Sequence, residues 1–336
     1  MKRAVCTRYE CRKLLFAQRG IWLIAAAAFV QILICLTARF HAYNYTFDTN
    51  AYRIYAERFA GPYRAETAAE IAGELAEQID IANTPLPENL TADEFSANIS
   101  LAQSKIAVLQ AISAHYQSLA DTRGEMCYDL ELCDMISRFS VNWSALLCIA
   151  VLTVLILLGD KSCGMEQILF PTKAGKRSIQ AAKLLTAAAL SAVITALCLA
   201  LQWGIFALRW QLGEWDIPVQ SLTGFSGCVL QISVGQAILL SAVMQIFAAV
   251  SAAMLTALCA KLLKKEIPAI AAAAMLIGIG AVISGQIPQT APFLLWRPLS
   301  GMSALSGAGA SEVCVSFLCM ILRLCGGGAL ILKVLK

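Results

Sequence analysis

"GMEQILFPTKAGKRSIQAAKLL", residues 164–185, sets four cations, one anion, one proline and two glycines between two long apolar runs. A helix crossing the hydrocarbon core of a bilayer needs roughly 20 mostly apolar residues. The flanking runs, 142–158 and 184–208, read as two such helices, so the stretch is the polar connection between them. Its excess of Lys and Arg then says on which side of the membrane it lies.

Working outward, the same criterion finds six transmembrane helices, at 21–38, 142–158, 184–208, 232–259, 267–284 and 313–332. None contains Asp or Glu, and only the last contains a charge, Arg323. The chain is 59% hydrophobic with mean hydropathy +0.68, where a soluble domain has about half. The first run has a long charged lead and an apolar core longer than a signal peptide's, so it reads as a retained span.

Segments 1–20, 159–183, 260–266 and 333–336 together hold 16 cations and four anions. Segments 39–141, 209–231 and 285–312 hold nine cations and 18 anions. Lys and Arg are enriched in cytoplasmic loops. The expected fold is an all-α polytopic membrane protein of six transmembrane helices with both termini cytoplasmic. A helical extracytoplasmic domain, 39–141, lies between the first two helices.

In that domain Ile71, Leu75 and Ile79 recur at four, with Glu66, Glu70, Glu74 and Glu77 opposite, which predicts a helix over 65–82. Thr91 and Glu94 read as a capping box opening a second helix with apolar residues from Phe95 to Leu119 at threes and fours. The two predict an antiparallel hairpin. Its acidic stripe reads as a solvated face, with a cation-attracting vestibule as the sharper alternative. Four N-x-S/T triplets on this side, at 44, 89, 98 and 142, read as chance matches in a bacterial protein.

Most of the 13 cysteines lie in apolar runs, where Cys behaves as a small hydrophobe. No CxxC pair and only two histidines, His41 and His115, argue against a metal site. Cys127 and Cys133 are the pair within the outer domain; a disulfide between them requires a turn, since a six-residue offset on one helix points them apart. No nucleophile, base and orienter set is visible, so no catalytic site is expected. "AGKRS" (174–178) is similar to the end of a phosphate-binding loop, but Phe170 and Arg177 stand where Gly and Ser/Thr are required. Inside the membrane, Arg323 faces a water-filled path, bonds loosened carbonyls near Gly326, Gly327 and Gly328, or snorkels from a shorter helix. Gln236 and Gln245 in the fourth helix are candidates for interhelical hydrogen bonds or for the pathway. "IPQTAPFLLWRPLSG" (287–301) suggests a short interfacial or re-entrant helix with Trp296 at headgroup depth.

The order of these features resembles the permease subunits of type-2 ATP-binding cassette (ABC) transporters. A basic amphipathic segment, "RYECRKLLFAQRG" (8–20), leads into the first span. The first cytoplasmic loop then carries Asp160, Gly164, Met165, Leu169, Thr172, Arg177, Ala182 and Lys183 in the family's order. Asp160 replaces the usual Glu, Met165 a common Thr, and Pro171 precedes Thr172 where Pro often follows it. The resemblance covers the layout of the whole chain, but its motif covers only about 25 residues of it.

It implies an exporter in the bacterial cell membrane that pairs with a second, identical or homologous permease. Two separate cytoplasmic ATPase subunits would hold ATP and Mg, with no cofactor on this chain and no nucleic-acid partner. The coupling contact falls on Gly164, Glu166, Ile168, Leu169, Phe170, Thr172, Gly175, Arg177 and Lys183. Arg8, Glu10, Arg12 and Lys13 supply a secondary contact. The alternative is a non-transporting membrane sensor or immunity protein that binds a ligand with the acidic outer hairpin.

Overall fold

The computed structural model describes residues 2–40, 42–84, 92–162, 175–210, 215–306 and 309–333. Among the described residues six helices are long and apolar enough to cross a membrane. They are α2 (Gly20–Thr37), α7 (Trp143–Ser162), α8 (Gly175–Trp210), α9 (Val234–Leu263), α10 (Glu266–Gln286) and α12 (Ala310–Lys333), here spans one to six. Most span ends fall within four residues of the boundaries read from sequence. Span three is the exception. Its helix begins nine residues earlier, and 36 residues at about 1.5 Å each make a rod of about 54 Å, far longer than a bilayer core.

Span four is the axis of the bundle, packing against spans two, three, five and six. Its buried face is built from Ala237, Ser241, Ala248, Ala249, Ala252, Ala253, Ala257 and Ala260. Small side chains let helix backbones approach closely, which is how helices associate in lipid. Roughly half of spans two, three and four is buried, against about a fifth of spans one, five and six. The outer three turn Trp22, Phe29, Leu276, Val282, Leu318 and Leu322 outward. Side-chain amides stitch the upper bundle. Gln31 of span one donates to Gln202 of span three at 3.1 Å and accepts from Ser144 of span two at 2.8 Å.

The helices run alternately up and down, so the connections gather at two ends. The basic end carries α1 (Lys2–Arg12), a π turn at Lys13–Ala17, and the 260–266 reversal. There Gly20 admits no side chain, because a Cβ would lie 2.8 Å from the carbonyl of Leu14. Lys264 caps span four in the left-handed region, φ 55°, and Pro268 is tolerated because it sits in the first turn of span five.

The other end carries the domain between spans one and two. It comprises α3 (Thr49–Arg58), α4 (Ala65–Asn83), α5 (Ala92–Ser118) and α6 (Leu130–Arg138), with two short strands, β1 (Gly61–Pro62) and β2 (Glu125–Met126), paired antiparallel. Asp48 caps α3 by accepting from the backbone of Asn50 and Ala51. The two long helices form an antiparallel hairpin: the Tyr116 hydroxyl, near the end of α5, accepts from the Arg64 backbone just before α4. Ile71, Val108, Ile112, Tyr116 and Leu119 fill the core with Tyr52 of α3 and Phe59 just after it. The acidic stripe is partly neutralised, since Arg58 reaches Glu70 at 2.7 Å and Glu74 at 2.6 Å. Thr91 of the expected capping box lies outside the described residues.

The single helix expected over 287–301 is instead three short turns, at Pro288–Phe293, α11 (Trp296–Leu299) and Gly301–Leu305. Pro292 and Pro298 remove the donors that a continuous helix would use. Trp296 packs on Trp143 at the head of span two, with ring centroids 5.9 Å apart.

Candidate functional site

Two polar constellations stand at opposite ends of the bundle. At the basic end, four charges meet out of water. Asp160 closes span two and Lys183 opens the apolar part of span three; they pair at 2.6 Å. Lys13 of the π turn reaches Asp160 at 2.5 Å and Glu10 of α1 at 2.9 Å. The Lys183 and Asp160 side chains are 2% and 3% exposed, and those of Glu10 and Lys13 are 6% and 12% exposed. The set is electrically neutral, which offsets the cost of desolvating each member. Burial alone would lower the Lys13 ammonium, but its hydrogen bonds to Asp160 and Glu10 outweigh that and hold it above its ordinary 10.5. Thr186 of span three adds a bond to the Thr7 carbonyl of α1. The amino-terminal helix is thus bound to both ends of the 163–174 connection.

This geometry divides the residues singled out in the sequence. Arg8 and Arg12 lie on the exposed side of α1. Glu10 and Lys13, expected beside them on a docking surface, instead face inward, where Lys13 bonds the second oxygen of Asp160 and Glu10 balances the charge that Lys13 adds. Lys183 is likewise a buried partner of Asp160 and not a surface contact. Gly175 and Arg177 stand in the first turn of α8. Gly164, Glu166, Ile168, Leu169, Phe170 and Thr172 lie outside the described residues.

Gln236 is not interhelical. It closes a capping box with Ser233, each side chain bonding the other's backbone N–H. Gln245 does bridge, donating to the Ser140 carbonyl at 2.9 Å and lying against Gly301. Arg323 is half-buried, and its Nη1 has no hydrogen-bond partner among the described residues. Cys127 and Cys133 form no disulfide with each other. Each has a separate partner: Cys127 the Ser221 carbonyl at 3.8 Å, Cys133 the Asp129 carboxylate at 3.2 Å and the Thr223 carbonyl at 3.3 Å.

Those partners belong to a buried network that the sequence reading missed. His115 lies between the Tyr52 hydroxyl, 2.9 Å from Nδ1, and the Ser221 carbonyl, 3.1 Å from Nε2. Asp129 accepts from the Thr223 backbone, and the Ser221 hydroxyl accepts from the Glu125 backbone at 2.8 Å. The 219–223 turn between spans three and four is thereby bound into the domain that precedes span two. A lone histidine in an apolar helix pattern was the one sequence signal for it.

Beside this network opens a cleft of about 650 Å³. Its walls are α3, the β1–β2 ribbon and the head of α6 on one side, and the domain-facing ends of spans three and four on the other. Arg53 is paired with Glu57 at 2.8 Å and lies over the Tyr128 ring at 5.4 Å. Arg209 donates to the terminal carbonyls of span one, at Cys35 and Leu36, 3.1 and 2.6 Å away. Comparison of the chain with protein-family models, with curated proteins and with solved structures gives no match.

Proposed function

We propose that this chain is the permease component of an ATP-binding cassette exporter in a bacterial cell membrane. It works as a dimer and is driven by separate ATPase subunits that dock on the segment 164–177 and hold the ATP and Mg. The observation that carries this reading is the ionic joint at the basic end. Asp160 and Lys183 stand on either side of the docking segment and are tied to each other and to α1. A load applied to the segment would therefore reach spans two and three together with the amino-terminal helix, and not one span alone. Moving packed helices as bodies is the usual form of such a transition. The alternation of six spans and the excess of cations at the basic end support the same reading.

The test is co-purification in mild detergent. The expected partner carries a Walker motif, and Phe170→Asp with Arg177→Asp releases it while the chain still inserts. Full retention of the ATPase by the double variant overturns the docking site. Recovery of the intact chain without any ATPase favours a non-transporting sensor.

A further inference from the structure

We infer that the cleft at the domain-bearing end binds an amphiphilic organic cation: a molecule with one positive centre and an apolar body. The site does not depend on how the chain is energised, so it stands apart from the exporter reading.

The size is right. Small-molecule sites are clefts of roughly 300–1,000 Å³, and this one measures about 650 Å³. One wall is apolar. Ile217, Val234 and Ile238 line it where the turn after span three meets the start of span four. A molecule partitioned into the outer membrane boundary would meet this wall first. Trp215 stands beside it, half-buried, with its backbone fixed by the hydrogen bond from Gly235.

The opposite wall is anionic in effect. Among the described residues the cleft holds two guanidiniums and three carboxylates, but the members are not equivalent. Arg53 is held by Glu57, lies over the Tyr128 face and also attracts Glu131. Arg209 points at the carboxyl end of span one, where helix carbonyls carry partial negative charge. Glu125 and Glu131 enter no salt bridge among the described residues. Glu131 lies beside the Tyr128 hydroxyl and feels the Arg53 charge, so Glu125 is the less compensated of the two. Two carboxylates with a tryptophan nearby attract a cation both by charge and by the ring quadrupole. A carboxylate or phosphate ligand would instead face repulsion from Glu125 and Glu131 with both arginines engaged.

The proposal is tested on the full-length chain in nanodiscs of zwitterionic lipid, with radiolabelled tetraphenylphosphonium as the probe and protein-free discs to subtract partitioning. We expect a saturable component that unlabelled tetraphenylphosphonium displaces and neutral triphenylphosphine oxide does not. Glu125→Gln with Glu131→Gln weakens binding on the order of tenfold or more, the worth of charge-assisted contacts. Trp215→Ala weakens it too, while Glu66→Gln, on the exposed face of the hairpin, leaves it unchanged. Each variant is first checked for a wild-type elution profile. No saturable component in the wild-type chain overturns the proposal. So does equal displacement by the neutral analogue, or an unchanged affinity in the double glutamine variant. An equal loss in Glu66→Gln would assign the effect to diffuse surface charge and also overturn it.

Discussion

Replacing Lys183 by Met removes one cation from a site where almost no water reaches. Met is unbranched like Lys and shorter only by the terminal ammonium, so packing changes little. What changes is the charge: Glu10, Lys13 and Asp160 remain, with a net charge of −1. Removing one partner of a buried pair costs about 3–5 kcal/mol, because the other is left uncompensated. Asp160 keeps Lys13 at 2.5 Å, so the lower figure applies, about 3 kcal/mol, or on the order of a hundredfold in the folding equilibrium. The assay is unfolding in mixed micelles with rising dodecyl sulfate. Labelling of Cys148 and Cys198, buried in the core between spans one, two and three, reads out the transition. A second variant separates charge from shape. Asp160→Leu combined with Lys183→Met removes the pair and leaves the neutral Glu10–Lys13 bridge at 2.9 Å. Buried pairs exchanged for apolar residues are often neutral in cost, so the double variant should be more stable than either single one. If both single variants unfold within about 0.5 kcal/mol of wild type, or their losses simply add in the double, the joint is not a coupled unit and the reasoning fails.

Gly301→Ala should destabilise by about 2 kcal/mol. Gly301 has φ +60°, and an added Cβ would sit 1.9 Å from Gln245 Nε2, displacing it from the Ser140 carbonyl; a thermal shift of the purified protein measures the loss. Burial pushes the phenols of Tyr45 and Tyr128 up to about 12 from an ordinary 10. A raised folded pKa stabilises fully below pH 10 and is lost as pH rises from 10 to 12. Limited proteolysis of the domain should therefore accelerate across that window, with its midpoint moved upward in Tyr128→Phe. Alkaline phosphatase fused after Lys105 should be active in bacterial cells and inactive after Lys264, as the charge asymmetry requires; the reverse result inverts the proposed orientation.

The spans and the α4–α5 hairpin were legible because both are written in local patterns. Apolar runs of sufficient length and a four-residue recurrence survive without knowledge of the partner. Contacts between distant segments were not legible. Glu10 and Lys13 look like surface charges on a basic helix until Asp160 and Lys183 are brought beneath them. Gln236 looks like a polar group within a span, and only the true start of α9 makes it part of a cap. Cys127 and Cys133 invite pairing with each other because no pattern announces Ser221 and Thr223. The turn at 219–223 is short and of ordinary composition, so nothing in it marks the carbonyls and hydroxyl that the domain uses.

The bond from His115 to Ser221 joins residues 106 apart, and the Asp129–Thr223 bond joins residues 94 apart. During synthesis the domain therefore leaves the ribosome without its last strap. At roughly 5–20 residues per second, the wait is about 5–20 s, long enough for spans two and three to enter the membrane first. Until then His115 and Asp129 lack their acceptor and donor on the 219–223 turn. The domain matures only after span three is in place, so a block in its insertion would surface first as proteolysis of the 42–140 region, far from the lesion.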